Sequence, residues 1–341
     1  MSEQALDLNS PASERGFPFS AHSFWSGIPQ LHESLDEVRD RVAQVARSAG
    51  GATGQALEQY VNRPGKMLRP ALVLLGSWAG KQNRLRHVLE VAAAVETLHL
   101  ATLIHDDVID DADLRRGEPA LHTLYGRKRA VLMGDFLFSS CFSIISDGTS
   151  RENALRVAQA TTHIVRGELT QLDGRRAPSA SRRDYLRRIA AKTAMLLGLS
   201  LVTGAHESDA PQRESAKLAR LGYCLGMAFQ IIDDILDFDG DTHAVGKPVA
   251  SDLKSGLYTL PVIEAIHSDP TLEPALSEFV TSGGNISELV SRIRAAGGID
   301  RARAAAGRYT ERARSAASTL SNAELRTSLH WLVDRLLDRT Y

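Results

Sequence analysis

The stretch VLEVAAAVETLHLATLIHDDVIDDAD, Val88 to Asp113, decides the fold. Val88, Val91, Val95, Leu98 and Thr102 recur at intervals of three and four, which is one face of an α-helix. That face ends directly before five aspartates between positions 106 and 113. A helix that is apolar up to an acidic end has that end buried, with its carboxylates facing a cavity. Further out, Leu325, Leu329, Leu332, Val333 and Leu336 mark a second helical face. Pro is scarce, 12 in 341 residues, so little interrupts such helices. There is no run of alternating strands with hairpin turns and no Gly-rich strand-turn-helix signature. The expectation is an all-α protein, a large single-domain bundle of a dozen or so helices around a central cavity. Residues 1–27 are set apart as a flexible arm, polar and carrying Pro11 and Pro18. Its aromatics Phe17, Phe19, Phe24 and Trp25 leave open whether it is disordered or packs on the body. Breaks are expected near Gly50, Gly148, Gly174 to Ser181, His206 to Pro211, Gly240 to Pro248 and Gly283.

Composition removes several classes of function. The chain is 43% apolar and 24% charged, enough to bury a sizeable core. Its net charge of −1 supplies no basic field for nucleic acid or an anionic membrane. Arg175, Arg176, Arg182, Arg183, Arg187 and Arg188 form a basic stretch, but only Tyr185 interleaves with it, so a solvated helix face is expected. Cys141 and Cys224 stand far apart in apolar surroundings, which fits a reducing, cytoplasmic compartment. No unbroken apolar run reaches the length of a bilayer-spanning helix, so no transmembrane segment is expected. The first 16 residues are polar and lack a signal-peptide core.

The acidic cluster has a counterpart. Asp106-Asp107-Val108-Ile109-Asp110 and Asp233-Asp234-Ile235-Leu236-Asp237 both read DDxxD. With 23 Asp in 341 residues, chance gives about 0.1 such match per chain, and here there are two. On a helix, positions i and i+4 share a face, pairing Asp106 with Asp110 and Asp233 with Asp237. Like charges so close repel one another, and a divalent cation relieves them. Carboxylates with room for water and phosphate suit Mg²⁺. Each motif follows an apolar stretch, Leu103-Ile104 and Phe229 to Ile232, unlike solvated acidic runs.

Basic residues lie where a diphosphate bound by those cations would need them. Lys66 and Arg69 sit three apart in Gly65 to Pro70, on one helical face. Arg115 and Arg116 follow the first motif directly. Lys192-Thr193 and Gly246-Lys247-Pro248 supply more.

At this point the sequence resembles the trans-type isoprenyl diphosphate synthases. The resemblance runs from Asn62 to Ile263 through GKMLRP, ETLHLATLIHDDVIDDADLRRG, GDFLF, KTAML and GMAFQIIDDILDFDGD…GKPVASDLKSGLYTLP. DDVIDDADLRRG looks most like catalytic subunits of medium- and long-chain synthases, heptaprenyl types included. The resemblance implies the all-α isoprenoid-synthase fold and three Mg²⁺ held by Asp106, Asp110 and Asp233, with Asp107, Asp234 and Asp237 in support. It implies that Arg115, Lys192, Thr193, Gln230 and Lys247 contact the allylic diphosphate or its departing pyrophosphate. Lys66, Arg69, His99 and Arg116 match the isopentenyl diphosphate site. It further implies a homodimer, or a heteromeric partner.

The implied reaction ionises an allylic diphosphate and joins isopentenyl units head to tail. Asp106, Asp110, Asp233, Lys192 and Lys247 then carry the chemistry. The carbocation needs a dry apolar pocket. Chain length follows from tunnel depth below the first motif, where family members making short products carry bulky aromatics. Here those positions are Ala101 and Thr102, with Leu98 and Val95 deeper, and Phe138 and Phe142 on the following helix. The expected product is longer than C15, with C30 or more favoured over C20 to C25.

Two departures stand out. Pro64-Gly65-Lys66 replaces the family's Gly-Gly-Lys, and Gly256-Leu257 replaces a Gly-Lys, leaving Lys254 as the nearby cation. Three rivals are weaker. A non-catalytic subunit is expected to have lost motif residues. A terpene cyclase needs no second DDxxD. A phosphohydrolase reading of His105-Asp106 lacks further His ligands.

Overall fold

A computed structural model describes residues 21–115, 117–174, 180–239 and 250–337. The described chain forms α1 (Ala21–Phe24), α2 (His32–Arg47), α3 (Gly51–Val61), α4 (Leu68–Ser77), α5 (Leu85–Ile109), α6 (Leu121–Tyr125), α7 (Arg127–Gly148) and α8 (Arg151–Gly174). It continues through α9 (Arg182–Ile189), a π-helical turn (Ala190–Ala194), α10 (Met195–Glu207), α11 (Gln212–Asp239) and α12 (Ser251–Lys254). The last helices are α13 (Leu260–Ser268), α14 (Leu272–Ser282), α15 (Ile286–Ala295), α16 (Gly298–Ser318) and α17 (Ala323–Leu337). The fold is all-α, and twelve of these helices have ten or more residues. Among the described residues the one β feature is an antiparallel ladder of two residues a side, β1 (Leu114–Arg115) with β2 (Glu118–Pro119).

α5 is the central helix. From Val88 to Ala101 every side chain but Glu90 is buried, and from Thr102 onward most are half-exposed. The helix therefore leaves the core where its aspartates begin. α7 runs antiparallel beside it: a Cβ on Gly134 would strike the His105 ring, and one on Gly148 would meet Glu90. This register sets Phe138 opposite Ala101 and Phe142 opposite Thr97.

Two apolar clusters make up the interior. The first gathers α2 to α5, α7, α10, α17 and the first half of α11. The second gathers α9, α13 to α16 and the second half of α11, from Met227 to Phe238. α11 ties them together and carries the second DDxxD where it enters the second cluster.

Residues 21–27, read from sequence as the end of a flexible arm, form α1 and a turn packed on the body. Phe24 and Trp25 are buried there, while Phe17 and Phe19 lie outside the described residues. The bilayer-length criterion also needs correcting. Leu85–Ile109, Arg127–Gly148 and Arg182–Glu207 are long and apolar enough to cross a membrane by length and composition. Isolated polar residues such as Thr97 and His99 break the runs without lowering the average much. The apolar windows of the first and third are 67% and 61% buried, so they serve as core; that of α7 is only 33% buried.

Candidate active site

Both acidic motifs end helices. Asp106 and Asp107 lie in the last turn of α5, and Asp110 caps it, its N–H donating to the Asp106 carbonyl at 2.8 Å. Asp111 follows in the left-handed region (φ 51°), and the Ala112 N–H returns to the Asp107 carbonyl at 3.0 Å. This is a helix-ending motif that normally uses Gly, and Asp tolerates its conformation. Carboxylates at the negative end of a helix dipole are disfavoured unless cations offset them.

Asp106 shows that cost. Burial pushes its carboxyl up to about 6, and Glu168 and Asp110 push the same way, while Lys192 and Arg115 pull it down. Lys192 Nζ lies 3.7 Å from Asp106 and 3.2 Å from Glu168. Burial works against the ammonium, but the two carboxylates outweigh it and keep Lys192 charged above its ordinary range. Next in sequence, Thr193 Oγ1 donates to Gln230 Oε1 at 2.7 Å. Gln230 Nε2 in turn donates to Asp234 Oδ1 at 2.9 Å, and Tyr185 Oη donates to Asp234 Oδ2 at 2.7 Å. The turn holding Lys192 and Thr193 is π-helical, a widening found mostly at functional sites. It sends one residue to the motif on α5 and the next to the motif on α11.

The remaining aspartates are engaged elsewhere. Asp107 is buried and accepts from Arg115 Nε at 2.7 Å, with a second bond from Arg115 Nη2. Gly117 in the left-handed region turns the chain so that β1 brings Arg115 back. Asp234 is buried; burial and the nearby Asp252 raise its carboxyl to about 7, against the bonds from Tyr185 and Gln230. Asp237 accepts from the Ser251 N–H (3.1 Å), the Ser251 hydroxyl (2.8 Å) and the Asp252 N–H (3.2 Å), capping α12. Asp107, Asp234 and Asp237 thus each bond neighbouring protein groups, while Asp107 Oδ2 is buried without a hydrogen-bond partner among the described residues.

A second group lies at the start of α4. Arg69 Nη1 donates to His99 Nε2 at 2.8 Å, which leaves the His99 proton on Nδ1. Lys66 precedes Met67, whose left-handed conformation (φ 49°) starts the helix. A helix N-terminus adds partial positive charge beside these cations. A polar cleft of about 550 Å³ opens nearby, lined by residues including Gln55, Asn62, Arg63 and Glu118, and holds none of the motif residues. Lys254 is exposed on α12. Arg116 and Lys247 lie outside the described residues.

Asp106, Asp110 and Glu168 offer oxygen donors for a hard divalent cation. Among the described residues no three such ligands form a ready-made coordination shell. Mg²⁺ keeps several waters and takes phosphate oxygens, so one or two carboxylates suffice to hold it.

A family model described as polyprenyl synthetase matches residues 52–295. The chain belongs to that family. It is 36% identical over 286 residues to heptaprenyl diphosphate synthase component 2 of Geobacillus stearothermophilus, covering 83% of this chain and 88% of that protein. It is 33% identical over 285 residues to an all-trans-nonaprenyl-diphosphate synthase (geranyl-diphosphate specific) of Rhodobacter capsulatus, covering 83% and 87%. The crystal structure of heptaprenyl diphosphate synthase from Staphylococcus aureus matches with a TM-score of 0.85 at 30% identity, covering 91% of this chain and 99% of that one. As a member of the polyprenyl synthetase family the chain is a prenyltransferase, as its motifs implied.

In this family member, Glu168 and Tyr185 are site residues that the sequence reading passed over. Each earns its place from a neighbour brought in by folding. Gly167 was the available signal for Glu168: a Cβ there would crowd Ala191, so α8 closes on the π-turn at that point. Tyr185 was noted only as an aromatic within a basic stretch.

Proposed function

We propose that this prenyltransferase condenses isopentenyl diphosphate with an allylic diphosphate to give an all-trans polyprenyl diphosphate, with Mg²⁺ as cofactor. The observation that carries the reading is the π-turn, where Lys192 meets Asp106 and Thr193 donates to Gln230, which in turn donates to Asp234. It sets Lys192 against the first aspartate motif and its neighbour Thr193, by way of Gln230, against the second. Asp106, Asp110 and Asp233 are the residues that would hold the cations. Bound there, the cations would supply neutralising charge to the leaving diphosphate. Lys192 donates to the same developing charge. Arg69, His99 and Lys66 bind the isopentenyl diphosphate. No described side chain is placed as an obvious general base, so the proton lost after coupling goes to the released pyrophosphate.

Replacing Asp106 with Ala in the presence of Mg²⁺ and both substrates should lower turnover about a hundredfold or more. Wild-type turnover would sink the assignment.

Small Ala101 supports long products, C30 or more. Relatives carry names from short-chain to heptaprenyl, nonaprenyl and solanesyl synthases, so kinship alone does not choose. The assembly is inferred to be a homodimer. Because two relatives are named as one component of a heptaprenyl synthase, a heteromeric partner is the second reading. Both cysteines are buried and free, in keeping with a reducing cytoplasmic setting.

A further inference from the structure

The segment before α2 reaches the site from outside every motif. Trp25 is fully buried, and its indole Nε1–H donates to the Lys66 carbonyl at 2.6 Å, across 41 positions of sequence. The ring of its neighbour Phe24 has the Lys66 ammonium 5.0 Å from its centroid. The same two residues thus hold both the main chain and the side chain of Lys66. They are themselves held. Phe24 and Trp25 meet edge-on at 5.1 Å, and both pack against Trp331 of α17, at 6.2 and 6.0 Å. The Trp331 ring fills the space that a Cβ on Gly27 would need, so only glycine lets the two segments close. His32 Nε2 lies 3.2 Å from the Trp25 carbonyl.

The arrangement suits an anion-binding lysine. The hydrogen bond fixes the backbone just before α4 begins. The aromatic face attracts the ammonium through its quadrupole and so restricts where the ammonium sits. A side chain with its rotamers already restricted loses less freedom when its ligand arrives.

We propose that Phe24 and Trp25, backed by Trp331, are positioning residues for isopentenyl diphosphate, presenting Lys66 to its diphosphate. This rests on reading Lys66, Arg69 and His99 as the isopentenyl diphosphate site.

The test measures KM for isopentenyl diphosphate and for the allylic diphosphate separately, in the full chain. Trp25→Phe keeps a ring but removes the donor; Phe24→Leu keeps bulk but removes the π-face. Each should raise KM for isopentenyl diphosphate about fivefold, the size of a moderate cation–π or hydrogen-bond contribution. KM for the allylic substrate should stay within about twofold. Arg69→Gln is the reference. If it raises KM for isopentenyl diphosphate while neither aromatic variant does, the positioning role is wrong. If the aromatic variants raise both KM values together and lower the unfolding temperature, they serve stability alone and the role is equally wrong. If Arg69→Gln itself leaves KM unchanged, the site reading fails, and this inference fails with it.

Discussion

Asp106 is half-buried at the negative end of a helix, beside Glu168 and Asp110, and its carboxyl is pushed up to about 6. A folded-state value above the ordinary 3.8 means the native chain binds a proton that the unfolded chain has released. Stability of the cation-free chain should therefore fall as pH rises from about 4 through 6, because the native state must then carry the buried charge. Asp234, raised to about 7 by burial and Asp252, extends the fall to slightly higher pH. Adding Mg²⁺ should restore a few degrees of melting temperature at pH 8 and much less at pH 5. An equal Mg²⁺ effect at both values would show that Asp106 does not hold the cation. The motif aspartates were legible because identity and i, i+4 spacing are both local. The family resemblance also set Asp106, Asp110 and Asp233 apart from the supporting three, but which protein groups those three bond was not legible. Asp107, Asp234 and Asp237 match the pattern as well as Asp106 does, but Arg115, Tyr185 and the start of α12 claim them in the folded chain.

At the scale of the element, the pairing of α5 with α7 bears on product length. The register read from Gly134 and Gly148 puts the aromatic Phe138 level with Ala101, not a layer deeper as the sequence order suggested. Ala101 and Leu98 are fully buried, and Thr102 turns its hydroxyl back to the His99 carbonyl at 2.8 Å. Below Asp106, then, α5 contributes a small side chain where α7 contributes a large one. Ala101→Tyr adds a ring opposite Phe138 and should shorten the main product; sizing the radiolabelled products checks this. An unchanged distribution would show that growth is not limited at this level. The helices themselves were legible from their apolar periodicity, since burial of one face imposes it. The π-turn was not, because its extra residue per turn leaves no mark on a pattern read at 3.6. Nor was the packing of residues 21–27, which depends on Trp331 at the far end of the chain.

At the scale of the whole molecule, apolar surface remains that the fold does not cover. Two-thirds of the bilayer-length window of α7 is not buried, unlike those of α5 and the 182–207 stretch. Leu132 on α7 is 66% exposed, and Leu155, Val165 and Leu169 on α8 are exposed with it. Leu155 and Leu169 stand four turns apart on one side of α8, with Val165 one turn before Leu169, so the residues make a stripe. A stripe of this kind on a chain with near-zero net charge attracts another protein surface. Two copies joined through α7 and α8 would cover it and leave the aspartate ends of α5 and α11 in separate sites. The double variant Leu132→Glu, Leu169→Glu places like charges in that contact, where desolvation and repulsion oppose association. Wild-type chain should run in light scattering at a mass near twice 37.1 kDa, and the double variant near 37.1 kDa itself. A wild-type monomer at micromolar concentration would turn the stripe toward a different subunit. A double variant that stays dimeric would move the interface elsewhere. Because the stripe lies on the helices that flank Asp106 and Glu168, dissociation should also lower activity, through loss of support for α7 and α8, with the motif residues unchanged.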